Sequence, residues 1–452
     1  MDQDLTGKRP SFGRSRSNFN PYRLLLWVAL IAFGIWVVSQ IDSGEGGRIK
    51  PLFLPTPTAT RTADSYLMEA QAHFEAGRVD DTASTDAIDA YRQALEMDPD
   101  NAHAWAELAR ILTYSSSLLS SQGERIARME EARQAADQAV ELNPDDSTVQ
   151  AMRALVLDWS ASVALDDTQR RAWLVEAEQV AGFAYNLDPS NYLALAFYAE
   201  VLLDQQKWSQ AEQYAKQAVE LAPEVMDTHR VYATVLETFG QYRVAIEEYN
   251  AAVRINPNLT FLYIRIGVIY RELQQFELAL EYFERAITIN NSNGVQDPLP
   301  YIAIAKTYAR MGEFFAAALN AEKALSFDPT NANTYGQLGD IYTRARNYES
   351  ALPVLKCAVQ GCTADENEVG EADVQSLPLT NVEVAYYYAR YGSVLAALSR
   401  PTANYCSEAL DVLERVREEY AADPVLMGIV SENEAICRLV DETPESEADQ
   451  AP

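Results

Sequence analysis

The strongest constraint on this chain is a pattern of two alanines and a proline that recurs in one register. In six copies, alanines stand five and twelve residues before a proline, as Ala87 and Ala94 do before Pro99. The other five copies end at Pro144, Pro189, Pro223, Pro257 and Pro329. Alanines seven residues apart lie on one face of an α-helix, where a neighbouring backbone can approach closely. The proline then ends the helix.

Two further copies keep the alanines and lose the proline; they end at Asn291 and Thr363. The distances from Pro189 to Pro223, from there to Pro257, and from there to Asn291 are 34 residues each. Self-similarity at such a period predicts a solenoid, whose units bury their apolar faces only by stacking on their neighbours. No segment of period two is long enough for a sheet, so we expect an all-α fold.

The spacing and its small and large positions resemble the tetratricopeptide repeat, a pair of helices of this length. The family places a small residue 24 positions and a large residue 21 positions before the proline. These places hold Ala199 and Leu202, Ala233 and Leu236, Gly267 and Tyr270, Ala305 and Tyr308, and Gly339 and Tyr342. The resemblance covers residues 64–440. It implies a right-handed α-solenoid of about nine helical hairpins, ending in a capping helix over Val425 to Val440.

Two repeats are longer than the others. The intervals from Pro99 to Pro144 and from Pro144 to Pro189 are 45 residues, 11 more than the basic period. Eleven residues make about three helical turns, which lengthens a helix without rotating its apolar face. We therefore expect long helices here, the second starting near Asp167. The acidic stretch from Thr363 to Asn381 has no helical pattern and predicts a loop.

The ends of the chain differ from the repeats. Residues 24–41 are almost wholly apolar and follow a basic segment over residues 1–23, which predicts a transmembrane signal-anchor with a cytoplasmic N-terminus. A cleavable signal is the alternative, but no small-x-small cleavage site follows. Residues 42–63 read as a linker rich in proline and threonine, and residues 441–452 as an acidic, disordered tail. The expected location is therefore the cell membrane, single-pass, with the repeats outside the cytoplasm.

The charge of the chain limits its partners. Its formal net charge is −30, and the first 63 residues hold 8 basic and 4 acidic residues. The remaining 28 basic and 62 acidic residues give residues 64–452, the repeats with the acidic tail, a charge of −34. Nucleic acid and anionic lipid would be repelled by such a domain. An acidic surface suits a basic partner, and it also suits plain solubility.

The sequence carries no motif for catalysis. Its three histidines fall in separate repeats without metal-ligand spacing. A Gly-rich phosphate loop, a nucleophile elbow and the H-E-x-x-H pattern are all missing from the sequence. We expect a protein that is not an enzyme and that has no metal site and no cofactor.

Four cysteines occur late in the chain. Cys406 lies near the start of one expected helix and Cys437 near the end of the next, so an antiparallel arrangement would bring them level. Cys357 and Cys362 straddle a helix end, where a local bridge is possible but more strained. The alternative for both pairs is buried free thiols.

In the resembled family, the first helices line a concave groove that receives a peptide or a partner helix. The resemblance places Arg230, Phe261, Ile264, Arg271, Lys306, Arg310, Asp340 and Arg344 on or near that face. Basic residues collect there, which suits an acidic segment or a carboxylate of a partner. The asparagines with which some members grip a carboxylate are replaced here by Glu200, Thr234, Val268 and Lys306, which argues against binding of chaperone tails. A solvated helix face is the alternative for each of these residues.

These patterns together predict a membrane-anchored scaffold that binds or organises a protein or peptide partner outside the cytoplasm. Two alternatives stay open: a non-catalytic accessory subunit of an envelope enzyme or secretion complex, and a solenoid that binds glycan strands. Genomic neighbours would separate the scaffold from the accessory subunit. A groove rich in exposed Trp and Tyr would favour the glycan-binding solenoid. The sequence carries no signal for an oligomeric state.

Overall fold

The computed structural model describes residues 20–40, 61–80, 85–119, 122–164, 166–400 and 402–442. The chain divides into two compact units, one up to Arg61 and one from Thr62 onward. The described part of the first unit is helix α1, Pro21–Gln40. Side chains of α1 are described as far as Trp36, and its large apolar ones are each at least half exposed.

Across the described residues, no helix reaches the combination of length and apolarity that crossing a membrane requires. This finding contradicts the expected transmembrane anchor over residues 24–41. The predicted location, single-pass in the cell membrane with the repeats outside the cytoplasm, is wrong by the same finding. Most of the expected basic tail, of the linker and of the acidic tail lies outside the described residues.

The described part of the second unit is helical throughout, with two isolated β-bridges and no strand. Eighteen of its helices form nine successive hairpins, and a single helix follows them, α20 (Pro424–Glu442). The first helices of the hairpins are α2 (Ala63–Glu75), α4 (Ala102–Ser116), α6 (Ser147–Ser162), α8 (Tyr192–Asp204), α10 (Met226–Thr238), α12 (Thr260–Glu272), α14 (Leu299–Met311), α16 (Ala332–Arg344) and α18 (Val382–Leu398). The second helices are α3 (Ala87–Met97), α5 (Gln122–Leu142), α7 (Asp167–Leu187), α9 (Trp208–Leu221), α11 (Tyr242–Ile255), α13 (Phe276–Asn293), α15 (Phe314–Leu325), α17 (Tyr348–Gln360) and α19 (Cys406–Tyr420).

The repeated alanines form the seam between neighbouring helices. All sixteen of them are at most 1% exposed. The small residue of the first helix receives the bulky residue of the second: a Cβ on Gly267 would lie 2.4 Å from the ring of Phe283, and one on Gly339 would lie 2.4 Å from Leu355. Because these contacts have no spare room, the small residues set the distance between the two helices of a hairpin.

The expected long helices are confirmed. Helices α5 and α7 have 21 residues each, against 14 in α9 and α11. The start of α7 is fixed by Asp166, whose side chain accepts a hydrogen bond from the backbone N–H of Gln169 at 2.8 Å. The expected loop is also present between α17 and α18, where Cys362 and Val374 form an isolated bridge.

The N-terminal hairpins curve round until the first hairpin contacts the connection between α11 and α12. The side-chain amide of Asn258 donates to the carbonyl of Glu75 at 3.0 Å, which joins the first hairpin to the turn between α11 and α12. Gly77 makes this approach possible, because it has a positive φ of 75° and a Cβ there would lie 2.4 Å from the carbonyl oxygen of Asn258. The side chain of Asn293 reaches the carbonyl of Ala76 at 3.4 Å.

A buried ionic network lies on the inner side of these curved hairpins. Arg110 of α4 donates to Asp227 of α10 at 3.1 Å, and the hydroxyl of Tyr114 also donates to Asp227. Arg230 donates to both carboxylate oxygens of Glu200 at 2.7 Å. All five residues are less than a tenth exposed. Helices α4 and α10 are therefore joined directly, although they lie three hairpins apart along the chain.

Aromatic rings pack around these charges. The ring of Tyr114 stacks with Phe74 and with Phe261 at centroid distances of 6.3 and 5.8 Å. The guanidinium of Arg230 lies 5.5 Å from the Tyr114 centroid and 5.8 Å from that of Trp159. Burial raises the pKa of Tyr114 far above its ordinary range, so its hydroxyl stays a neutral donor. The inner face of the first hairpins is thus occupied by the protein's own side chains.

Asp158 of α6 is buried close to this network, and its carboxylate lacks a full set of hydrogen-bond partners. It is 2% exposed, and its Oδ1 has no hydrogen-bond partner among the described residues. Burial raises the pKa of Asp158 well above its ordinary value, and the charges of Asp204 and Glu200 raise it further, while Arg230 lowers it. The folded protein therefore binds a proton at Asp158 more tightly than the unfolded chain does.

The alanine seam gives a first test. We expect Ala218→Leu and Ala252→Leu each to lower the free energy of unfolding by about 1–3 kcal/mol, because added methylenes must displace a packed neighbour. Chemical denaturation followed by circular dichroism measures this change. Ala72→Leu on the exposed face of α2 is the control and should change little. Midpoints that stay unchanged in both buried variants would contradict a close-packed seam.

Asp158 gives a second test. A carboxyl whose pKa is raised by folding destabilises the native state as the pH rises, and Asn cannot ionise. Asp158→Asn should therefore raise the thermal midpoint above that of the wild type in mildly alkaline buffer. The difference should shrink as the pH falls towards the ordinary aspartate pKa of about 4. Asp145→Asn, at an exposed turn, is the control. A difference that widens on acidification would overturn the assignment.

Candidate functional site

The residues of the expected groove lie around two cavities rather than along one ladder. The first, called here the basic cavity, has a volume of about 510 Å³ and is lined by α12, α14, α16 and α18. It contains five cationic side chains, Arg271, Lys306, Arg310, Arg344 and Arg390. Two carboxylates, Asp340 and Glu383, also line it. The cations come from first helices of successive hairpins, whose common register directs them to one side.

Two of the four helices that carry these side chains, α16 and α18, start at an asparagine cap. The side chain of Asn331 accepts hydrogen bonds from two backbone N–H groups at the start of α16. Asn381 caps α18 by accepting one such bond, from the backbone N–H of Val384. Such caps satisfy donors that would otherwise lack a partner and fix where the helix begins. The register of the lining residues follows from these starts.

Arg271 is the least accessible of the five cations. It is 8% exposed and stands near the end of α12, with Nη1 donating to the carbonyl of Ala303 at 3.4 Å. Its Nε has no hydrogen-bond partner among the described residues, and Oε1 of Glu272 is 3.9 Å away from it. Burial lowers the pKa of Arg271, as does the charge of Arg310, while Glu272 raises it. A buried and weakly compensated positive charge therefore faces the cavity.

Lys306 and Arg310 are more accessible. Their side chains are 42% and 47% exposed. Nζ of Lys306 lies 3.4 Å from Oε1 of Glu383, and Nη1 of Arg310 lies 2.9 Å from Oε1 of Glu272. Ion pairs at such exposure contribute little, about 0–1 kcal/mol each, so either cation can turn to another anion at small cost.

Arg344 of α16 and Arg390 of α18 line the part of the basic cavity that is formed by the last two hairpins. Arg344 donates to the carbonyl of Ala309 at 2.7 Å and lies 5.1 Å from the ring centroid of Phe314. Nε of Arg390 donates to Asp340 at 3.0 Å. With Glu272 included, three carboxylates stand against five cations in and beside the basic cavity. A local positive excess thus persists inside a domain that is strongly negative as a whole.

The sequence did not point to Tyr386, Tyr387 and Arg390, although all three line the basic cavity. They lie on α18, the first helix of the last hairpin, where the alanine and proline register has already been lost. The one available signal is the run of three tyrosines followed by alanine and arginine at residues 386–390. Tyr387 donates to Glu383 at 3.0 Å, and burial raises its pKa, so its hydroxyl stays neutral.

The second cavity, called here the apolar cavity, has a volume of about 320 Å³. Three residues of the expected groove, Arg230, Phe261 and Ile264, lie in its wall. The wall also contains Ser117, Trp159, Glu200, Thr234, Tyr249, Arg265 and Leu299. The expected ladder of cations is therefore interrupted, since Arg230 is grouped with aromatic and aliphatic side chains and not with the four later cations.

The polar groups of the apolar cavity are already engaged with each other. Nε1 of Trp159 donates to Glu200 at 3.2 Å, and Glu200 is also the bidentate partner of Arg230. The hydroxyl of Tyr249 and Nη2 of Arg265 donate to the same oxygen of Glu237 at 3.1 and 2.7 Å. Two cations of the wall are less completely paired: Nε of Arg230 has no hydrogen-bond partner among the described residues, and the side chain of Arg265 is 46% exposed. Ring faces and aliphatic side chains supply most of the other surface that the cavity offers to a ligand.

The structure joins the four cysteines in two disulfides. Cys406 at the start of α19 is bonded to Cys437 of α20, with a Cα–Cα distance of 5.4 Å. Cys357 and Cys362 are bonded across the end of α17, with a Cα–Cα distance of 4.8 Å. The first bond ties the last single helix to the ninth hairpin. In the described ranges, no group of three or more His, Cys, Asp or Glu side chains is arranged to hold a metal ion.

Comparison with known proteins identifies the repeats. Models of the tetratricopeptide repeat match residues 67–113 and 199–260, and a further one matches residues 261–293. No curated protein matches the chain.

Several solved structures are similar in fold. A tetratricopeptide repeat protein from Parabacteroides merdae is 16% identical, covers 62% of this chain and 98% of its own, and has a TM-score of 0.42. A thermophilic repeat protein from Thermus thermophilus is 18% identical, with coverages of 46% and 98% and a TM-score of 0.37. YrrB, a repeat protein with an unusual peptide-binding site, is 20% identical, with coverages of 48% and 99% and a TM-score of 0.32. The matches show that residues 67–113 and 199–293 of this chain are tetratricopeptide repeats.

Proposed function

We propose that this protein is a non-catalytic scaffold that binds a protein partner by holding an acidic segment of it in the basic cavity. Tetratricopeptide repeats generally mediate interactions between proteins, which supports the broad assignment. The specific observation is the excess of cations around one cavity, with Arg271 buried and its Nε without a hydrogen-bond partner among the described residues.

The energetics favour an anionic ligand at this place. A buried charge without a full set of partners is costly, and a carboxylate that reaches it relieves this cost. Hydrogen bonds between a guanidinium and a carboxylate are also stronger than neutral ones. Lys306 and Arg310 stand at the accessible side of the basic cavity and add attraction without deep burial. An acidic peptide thus gains contacts that the isolated domain lacks.

The selectivity follows from the charge of the whole domain. Residues 64–452 carry −34, so an acidic partner is repelled by most of the surface and attracted at a local positive excess. This arrangement directs an acidic segment to one cavity and disfavours binding elsewhere on the surface. The same charge disfavours nucleic acid as the ligand.

The test reverses the two accessible cations and leaves buried Arg271 untouched. We expect Lys306→Glu with Arg310→Glu to weaken binding of a fluorescein-labelled oligoglutamate peptide by roughly tenfold to a hundredfold, because two attractions become repulsions. Fluorescence polarisation measures the affinity. Raising the salt concentration should weaken wild-type binding as well, since exposed charges are screened.

The matched control is Lys216→Glu with Arg285→Glu, on α9 and α13, which makes the same change in net charge outside the basic cavity. It should bind the peptide nearly as well as the wild type. Equal loss in both double variants would show that only overall charge matters, and no loss in either would exclude the basic cavity. Circular dichroism confirms that each variant stays folded.

A further inference from the structure

The basic and apolar cavities share two of their walls. Ile264 of α12 lines the apolar cavity, and Arg271, seven residues later on the same helix, lines the basic cavity. Leu299 and Lys306 of α14 repeat this relation with the same separation. Seven residues are about two helical turns, so each pair stands on one helix face about 10 Å apart. The two cavities therefore lie side by side along the same pair of helices.

The chemistry of the apolar cavity defines what can enter it. Phe261, Ile264 and Leu299 contribute hydrocarbon surface, and the rings of Trp159 and Tyr249 have their polar atoms turned to partners. A hydrophilic group placed against this hydrocarbon surface would lose water, and the accessible charged partner in the wall is the half-exposed Arg265. A volume of about 320 Å³ is at the low end of the ~300–1,000 Å³ of small-molecule sites. It suits one large apolar side chain, and an aromatic one brings the most buried area.

We infer that the partner segment is bipartite, with an aromatic side chain in the apolar cavity and an acidic side chain in the basic cavity. The inference rests on the proposed function and adds the second contact and its spacing. An extended peptide advances about 3.3 Å per residue, so a gap of about 10 Å corresponds to a separation of about three residues. The aromatic group supplies apolar burial, and the carboxylate supplies charge-assisted bonds to the cations.

The occupant is a partner segment and not a free aromatic molecule, because the cavities adjoin and the cations of the basic one outnumber the carboxylates around them. An aromatic group alone would leave the cations of the basic cavity as they are. An acidic group alone would leave the aromatic and aliphatic wall exposed to water. A segment that carries both satisfies the two surfaces in one binding event, and its second contact forms at high effective concentration.

Synthetic peptides test the spacing directly. Fluorescein-labelled peptides carry one tryptophan and two adjacent glutamates, joined by glycine and serine linkers that place the groups at a graded series of separations. We expect the tightest binding at a separation of about three residues. Replacing the tryptophan with serine in that peptide should weaken binding by roughly tenfold or more, from the burial that is lost. A flat response to linker length together with no effect of the tryptophan would overturn the inference.

Variants of the protein locate the aromatic contact. Leu299→Gln should remove most of the advantage that the tryptophan gives and leave the affinity for the peptide with serine unchanged. Leu319→Gln, at a 58% exposed position of α15, is the matched control and should change neither affinity. Ser117→Trp provides a second variant that fills the apolar cavity without removing an aliphatic side chain, in case Leu299→Gln fails to fold.

The outcomes separate the inference from the proposed function. If the serine peptide binds as well as the tryptophan peptide and both respond to reversal of Lys306 and Arg310, the basic cavity stands and the bipartite ligand is wrong. If no peptide responds to that reversal, the proposed function fails. Binding that needs tryptophan and Leu299 but no glutamate would make the apolar cavity an independent site and would also overturn the bipartite ligand.

Discussion

The close approach of helices at small residues is the interaction on which the rest of this structure depends. Alanines with almost no exposure, and glycines such as Gly267 and Gly339, let a bulky side chain of one helix pack directly against the backbone of the other. The spacing is therefore nearly the same in each hairpin. Because the spacing repeats, equivalent positions on successive first helices point to the same side. The convergence of cations from α12, α14 and α16 is a direct result of this regularity.

The inner side of the solenoid is used in two different ways. Along the first five hairpins it is occupied by the network of Arg110, Asp227, Arg230 and Glu200 and by stacked aromatic rings, beside which the apolar cavity lies. Buried ion pairs add little net stability compared with apolar packing, but breaking one leaves an uncompensated charge. The network therefore acts to select one arrangement of the helices. In the later hairpins the inner side holds the basic cavity, around which cations outnumber carboxylates.

Much of the fold could be predicted from the sequence, because helix pairs and their small residues are local features. The long helices α5 and α7, the loop before α18 and the last single helix all follow from spacing and composition within one repeat. The candidate site could be predicted only in part. Whether Arg230 faces a ligand or Glu200 depends on how neighbouring hairpins rotate, and the pairing of Arg110 with Asp227 crosses three hairpins. Neither relation can be inferred from the sequence of a single repeat. Arg390 was missed because the last hairpin has lost the register. The membrane anchor was wrong because no described helix combines the length and the apolarity that a membrane span requires.

The contact between the first hairpin and the turn before α12 changes how this solenoid is expected to fold. In an open solenoid each repeat touches only its neighbours, so repeats can form and fray one after another from the ends. Asn258 and Glu75 are separated by 183 positions, yet they are hydrogen-bonded, and Gly77 packs against the same turn. Opening the first hairpin therefore also breaks contacts made by the sixth. We therefore expect the N-terminal hairpins to unfold as one cooperative block and the later hairpins to keep more of the independence of ordinary repeats. A ligand that spans α12 and α14 would bind at the border between these two regimes.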